Sequence, residues 1–311
     1  MRAVRLAAAA VLVLLPAMAR AQQQTSASPP ATVDPRDAAD RRPSLVEPDF
    51  TLVNLPTTLR LPRHKSAFRI THRFARTLHS DFGSLANDLF GLDNGALIGL
   101  EYRVGVMRGL QAGLYRTGGK IVQFFGQYDA VRQSASVPLT LNALASIEGL
   151  NNFHRGDRVD EEDNEYATAL GALVSRTAGD RAAFYLQPSY IFHANTYSTS
   201  GCLEHLEHGH DIPGCAGATT VGIKSNTLLI GASARLRVSQ GVYVLGSWTP
   251  RASGFAPGVS VKTFAVEKRL RGHVFQLNVS NSLGTTMSEM ARGAANNRDW
   301  FLGFNLSRKF F

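Results

Sequence analysis

The chain has 311 residues and a formal net charge of +9, with 44% hydrophobic and 18% charged residues. Its Lys and Arg residues are scattered rather than gathered on a basic helix or in an aromatic-interleaved tract, so nucleic acid is not an expected partner. Beyond the N-terminus no stretch reaches the 18 or more consecutive apolar residues of a membrane helix, which excludes a helical membrane protein but not one built from strands.

Residues 1–21 read as a cleaved signal peptide. Arg2 and Arg5 form a positive start, an apolar run of about ten residues follows from Leu6, and small-residue cleavage patterns end at Ala19 and Ala21. Removing this leader, which also carries Arg20 and no acid, takes the formal charge from +9 to +6. Residues 22–50 are rich in Gln, Ser, Pro, Ala, Asp and Arg and read as a flexible N-terminal segment. The barrel domain is assigned to 51–311. Its opening residues, FTLVNLPTTLRLPRH from Phe50, are compatible with either a short strand or a plug-like segment.

From Ser66 onward one texture repeats. Segments of about ten residues alternate apolar with polar or tiny side chains, the period of a β-strand. Phe68, Ile70, His72 and Phe74 alternate with Arg69, Thr71 and Arg73; Ile98, Leu100, Tyr102 and Val104 with Gly99, Glu101, Arg103 and Gly105. The next strand alternates Leu110, Ala112 and Leu114 with Gln111 and Gly113. In the one after it, Val122, Phe124 and Tyr128 oppose Gln123 and Gln127, with Phe125 breaking the pattern. Strands follow around 139–148 and 166–175, then an ambiguous one at 182–193 that Pro188 interrupts. Four more lie around 228–238, 242–248, 263–267 and 275–280, and a last one begins near Trp300. The count is about twelve.

Connection lengths supply an independent signal. The odd-numbered connections (76–94, 150–164, 196–224, 249–260 and 283–297) are longer than their neighbours, apart from the tight turn at 117–120. Membrane barrels sort their loops this way, with short periplasmic turns and longer outer loops. The face opposite the apolar one is rich in Gly, Ala, Ser, Thr, Asn and Gln, a composition suited to a barrel lumen. Tyr102, Tyr128, Trp248, Trp300 and Phe310 fall near strand ends, where an interfacial girdle belongs. The fold class expected is all-β: an antiparallel transmembrane β-barrel of about twelve strands in the bacterial outer membrane.

If the alternation holds, Arg69, Arg73, Glu101, Arg103, Glu148, Arg235, Arg237 and Glu267 line the lumen. They suit either an aqueous path biased toward anions or a network of ion pairs filling a closed interior. Cys202 and Cys215 are expected to pair as a disulfide in an oxidising compartment. The loop they bracket holds His205, His208 and His210 beside Glu204, Glu207 and Asp211. Imidazoles next to carboxylates make this loop the one candidate for a divalent metal, although the spacing matches no zinc motif, and no other cofactor is expected. The acidic run at 157–165 lacks the calcium-loop pattern and reads as a solvated outer loop. Ser84 could cap a short helical turn in the first outer loop. The nucleophile, haem and metalloprotease motifs Gly-x-Ser-x-Gly, Cys-x-x-Cys-His and His-Glu-x-x-His are all missing, so no catalytic residue is assigned.

The final segment, WFLGFNLSRKFF, resembles the C-terminal strand signal by which outer-membrane barrels engage the barrel-assembly machinery, with Phe304, Leu306, Phe310 and Phe311 as the matching residues. Phe311 falls on the opposite parity from Phe304 and Leu306, a departure from the usual pattern. More broadly, NLPTTLRLPRH (54–64), THRFAR (71–76), SLANDLFGLDNGALIGLEYR (84–103), VEKR (266–269), HVFQL (273–277) and GFNLSRKFF resemble a bacterial family of membrane-bound β-barrel domains. The resemblance spans roughly 48–311 and implies fold and location, with no activity attached. The function expected is a channel or binding barrel for a small solute. The alternative is a closed barrel acting through its outer loops, by ligand or metal binding or in a structural role, with a membrane enzyme third. Expected partners are outer-membrane lipid, the assembly machinery during biogenesis and a small solute.

Overall fold

The computed structural model describes residues 44–79, 83, 95–149, 153, 166–195, 226–254 and 258–311. The signal peptide, most of the 22–50 segment, the 84–92 turn, the acidic run and the whole 201–215 loop with its cysteines and histidines lie outside the described residues.

Strands follow in chain order: β1 Ser66–Thr77, β2 Ala96–Met107, β3 Leu110–Thr117, β4 Val122–Val131, β5 Thr140–Gly149, β6 Tyr166–Ala178 and β7 Ala182–Phe192. Then come β8 Thr227–Ser239, β9 Val242–Thr249, β10 Arg251–Ser253, β11 Val261–Leu270, β12 His273–Ser280 and β13 Phe301–Phe310. Every pairing is antiparallel between neighbours. β9 and β10 both pair with β8 and are separated only by Pro250, so they act as one interrupted strand. β9 also pairs with β11, and β1 pairs with β13 from Ser66↔Phe310 to Arg73↔Gly303. The result is a closed barrel of twelve strands with no free edge, which a sheet in lipid requires because unpaired backbone groups there find no water.

The alternation read from the sequence is the alternation of the wall. On β2, Ile98, Leu100, Tyr102, Val104 and Val106 are exposed outward, while Gly99, Glu101, Arg103 and Gly105 are buried inward. β6 repeats this with Leu170 53% exposed and Ala169 and Leu173 buried, and β11 with Phe264 and Val266 outward and Thr263 and Glu267 inward. An apolar outside around a polar inside is the inverse of a water-soluble barrel, and it is the arrangement that lipid selects. Among the described residues no helix is long and apolar enough to cross a membrane.

Two irregularities of the sequence now have causes. Pro188 sits on the outward face of β7 opposite Ile230, and the β6–β7 ladder skips the positions beside it, as a residue without an N–H demands. Phe125 breaks the alternation of β4 because its ring packs inside, 4.7 Å from the Arg103 guanidinium, over a Gly113 whose missing side chain leaves the space.

The end where β1 begins and β13 finishes, the terminal end, has turns of two residues at 108–109, 240–241 and 271–272. Gly109 and Gly241 take positive φ there, as such tight turns require. That end also carries the connections 179–181 and 132–139, the latter of eight residues. Apart from 118–121 and the seven residues 254–260, the connections at the opposite, loop end are longer than these. The last of them does not extend away from the barrel: it carries α1, Met287–Arg292, folded into the lumen.

Candidate functional site: a lumen filled from both ends

Residues 44–50, grouped by composition with the flexible segment, lie inside the barrel together with 51–62. Val46, Glu47, Asp49, Phe50, Leu52, Val53, Leu55, Thr57, Thr58, Leu59 and Leu61 are all buried. The segment enters at the terminal end, where Arg269 donates to the Ser44 carbonyl at 2.7 Å and Tyr243 to that of Leu45 at 2.9 Å. It turns back at mid-lumen in a narrow hairpin. The Leu52 amide donates to the Leu55 carbonyl and the Thr57 amide to that of Phe50, each at 2.8 Å. The chain then returns to the terminal end, where the His64 amide meets the Gly105 carbonyl just before β1.

A buried segment outside any sheet must find partners for its backbone. Here the wall supplies them from residues far away in sequence. Arg235 donates to the Thr51 carbonyl at 3.1 Å, Arg69 and Asn305 to that of Val53, Gln127 to that of Thr57 at 2.9 Å and Gln111 to that of Leu59 at 3.2 Å. Side chains reinforce the hold. Tyr185 donates to Glu47, Ser307 to Asp49, and Arg60 forms an ion pair with Asp129. Apolar hairpin residues complete the packing: Leu52 and Val53 join Leu173, Tyr185 and Leu245, while Phe50, Leu59 and Leu61 join Ala67. Each fully buried Leu or Val is worth about 1.5–3 kcal/mol over exposure to water.

From the loop end comes α1. Thr286 caps it in a reciprocal capping box with Glu289. Ser288 donates through both its amide and its hydroxyl to Glu148, which also accepts from Gln123. Met290 and Ala291 pack against Leu55 at the hairpin tip, and Asn54 reaches the Gly284 carbonyl at 3.2 Å. Hairpin and helix therefore meet in the middle of the lumen.

Of the eight charged residues expected inside, Arg69, Arg73, Glu101, Arg103, Glu148, Arg235 and Glu267 are buried there, and Arg237 is half-buried toward the terminal end. The structure draws them into separate groups. Arg235 and Glu267 are 3.0 Å apart, and Gln276 also donates to Glu267. Arg103 grips Glu101 through Nε and Nη2, with Arg69 at 3.8 Å from the other carboxylate oxygen. Arg73 donates to Asn305 and to Asn54 of the hairpin. Sequence reasoning overlooked Asp129, although it follows the inward parity of Gln123 and Gln127. It also overlooked Glu47 and Asp49, acids placed to meet a wall richer in Arg than in Glu.

Between the hairpin and the wall a cavity of about 80 Å³ remains. Arg69, Glu101 and Arg103 line one side, Thr51 and Asn54 belong to the hairpin, and Met287 and Met290 to α1.

Phe304, Leu306 and Phe310 lie on the outward face of β13, with Leu306 and Phe310 exposed, while Lys309 points inward toward the Phe50 ring at 5.6 Å. Phe311 follows the strand and is exposed. Tyr128 and Phe310 mark the terminal end and Trp248 and Trp300 the loop end; Trp300 stacks on Phe264 at 5.9 Å.

The family model described as "Membrane bound beta barrel domain (DUF5777)" matches residues 49–310, and the chain belongs to that family. Comparison with curated protein sequences finds no match. Among solved structures, the chain is similar to a porin from Rh. blastica, at 11% identity and a TM-score of 0.33. That match covers 72% of this chain and only 58% of the porin. It is also similar to outer membrane phospholipase A from Escherichia coli, at 9% identity and a TM-score of 0.40, covering 80% of this chain and 91% of that one. An outer membrane channel from Pseudomonas putida F1 matches at 10% identity and a TM-score of 0.39, covering 80% and 97%.

Proposed function

We propose that this membrane-bound barrel resides in a bacterial outer membrane with its loop end outward, and that it binds or passes a small solute through a lumen its own 44–62 hairpin keeps shut. The observation that supports this reading is the way the hairpin is held. Its carbonyls rest on arginine, glutamine and asparagine side chains of the wall rather than in the sheet. A barrel meant only to be solid could fill its lumen with apolar wall side chains and would need neither a buried segment nor the donors that serve its carbonyls, since a buried ion pair is commonly no more stabilising than apolar residues of the same volume. A wall that keeps its guanidinium and amide groups is suited to water and solute once the hairpin withdraws. The leader, the aromatic ring positions and the C-terminal strand fit the outer membrane, with the assembly machinery as the partner in biogenesis.

A second reading, a closed barrel acting through its loop end, draws support from α1, which fills that end. Single-channel conductance in a planar bilayer separates the two. Discrete steps, rare in the intact protein and frequent once the 44–62 segment is deleted, support passage. Silence from folded barrels both with and without the hairpin overturns it and leaves the closed barrel.

A further inference from the structure

We propose that the 80 Å³ cavity is a binding site for a short-chain monocarboxylate, its head on Arg69 and Arg103 and its aliphatic body against Phe125, Leu144, Met287 and Met290. The inference rests on the reading of the barrel as a small-solute protein and names the solute class.

Charge is the first argument. Arg69 and Arg103 both turn toward one carboxylate, that of Glu101, at 3.8 and 2.9 Å. Two guanidinium groups against one carboxylate leave an uncompensated positive charge in a buried place, and a second carboxylate would balance it. That field rejects cations and amines.

Unused donors are the second. Glu101 occupies the Nε and Nη2 edge of Arg103, leaving Nη1 buried without an acceptor, and Arg69 Nε is likewise buried and unmet. The two arginines are 3% and 7% exposed. Thr51 Oγ1 and Ser146 Oγ, also on the cavity lining, are unpartnered as well. A buried donor left unmet costs about 1–3 kcal/mol, more when charged, and a bound anion recovers it. The Arg103 fork is held rigid for this purpose between the Phe50 ring at 5.3 Å and the Phe125 ring at 4.7 Å.

Size and polarity are the third. The volume admits on the order of half a dozen non-hydrogen atoms, the size of butyrate. Away from the arginines the lining joins the apolar Leu144, Ala169, Met287 and Met290 to neutral polar groups such as Gln123 and Gln187, and among the described lining residues no further cation waits to meet the second charge of a dicarboxylate.

The test is binding of sodium butyrate to the refolded full chain in detergent micelles, followed by saturation-transfer NMR and titration. Saturable binding is expected, displaced by propionate and untouched by n-butylamine. Arg103→Gln and Arg69→Gln should each weaken it about tenfold or more, whereas Arg237→Gln, away from the cavity, should leave it unchanged. Absence of saturable butyrate binding by folded wild-type barrel would overturn the site. So would equal binding of butylamine, or binding indifferent to both arginine variants; should one variant fail to refold, the other decides. Because binding is read on the closed barrel, its outcome is separate from conductance: a barrel that opens without binding butyrate sinks the site alone, and one that binds but never conducts sinks passage alone.

Discussion

The guanidinium of Arg235 lies 3.0 Å from the carboxylate of Glu267, and both side chains are wholly shielded from solvent. The same Arg235 Nη2 also holds the Thr51 carbonyl, so one side chain ties β8 to β11 and to the hairpin. Removing one partner of such a pair strands a buried charge, at a cost of about 3–5 kcal/mol, while replacing both with apolar residues is often close to neutral. Arg235→Leu is therefore expected to lower the urea midpoint of the micelle-embedded barrel much more than Arg235→Leu combined with Glu267→Leu. A single variant as mild as the double would mean that the pair is not the anchor.

Thr58 on the hairpin and Ser175 on β6 bring their hydroxyl oxygens to 2.6 Å. Cysteines at both positions, in a background with Cys202 and Cys215 changed to serine, should form a disulfide that locks the hairpin to the wall. If withdrawal of the hairpin opens the lumen, oxidised barrels should lose whatever conductance steps reduced barrels show. Steps that persist under oxidation would place the path elsewhere.

A methyl group at Gly231 would meet Leu55 at 2.9 Å. A larger residue cannot share that space, so Gly231→Leu should drive the hairpin tip away from β8. Arg60, engaged with Asp129 in the native lumen, should then become cleavable by trypsin after its carbonyl while the barrel stays intact. Unchanged protection of the Arg60–Leu61 bond would show that the tip repacks without leaving.

Leu170, in the middle of β6, is 53% exposed and faces outward. In water a polar substitution at so open a site changes stability by at most about 0.5 kcal/mol. In a bilayer midplane an Arg there costs about 2–4 kcal/mol. Leu170→Arg should accordingly fold well short of wild type in lipid vesicles and shift the unfolding midpoint. A neutral result would contradict lipid contact at this face.

The wall was legible because each strand repeats a period of two and every inward residue declares itself by parity, down to seven of the eight expected charges being buried. What fills the wall was not legible. FTLVNLPTTLRLPRH reads equally as a short strand or a plug-like segment, and only its partners decide for the plug: Arg235 lies 184 residues from Thr51 and Asn305 lies 252 from Val53. The break at Phe125 was visible without its cause, because the space it fills is opened by Gly113 on the neighbouring strand. The 283–297 connection showed its length but not that Ser288 would reach Glu148, 140 residues away.

That last contact yields the final prediction. Glu148 is buried and accepts from the amide and hydroxyl of Ser288 and from Gln123, so it fixes the first turn of α1 against β5. Six residues of helix are too few to hold together in water without tertiary support. Glu148→Ala removes that support and leaves the Ser288 amide and hydroxyl unmet, so α1 should loosen from the lumen while the β-ladders remain. Ala291 is fully buried against the hairpin tip and makes a suitable reporter. A cysteine at 291, in the background lacking Cys202 and Cys215, should react slowly with a charged maleimide in the otherwise native barrel and at least about tenfold faster with Glu148→Ala, since that ratio corresponds to roughly 1.4 kcal/mol of lost closure. Labelling from the loop-end side of sealed vesicles would locate the opening at that end. Equal rates would show that the hairpin, not Glu148, holds the helix in place, and the Thr58–Ser175 lock would then be the variant that governs access to both.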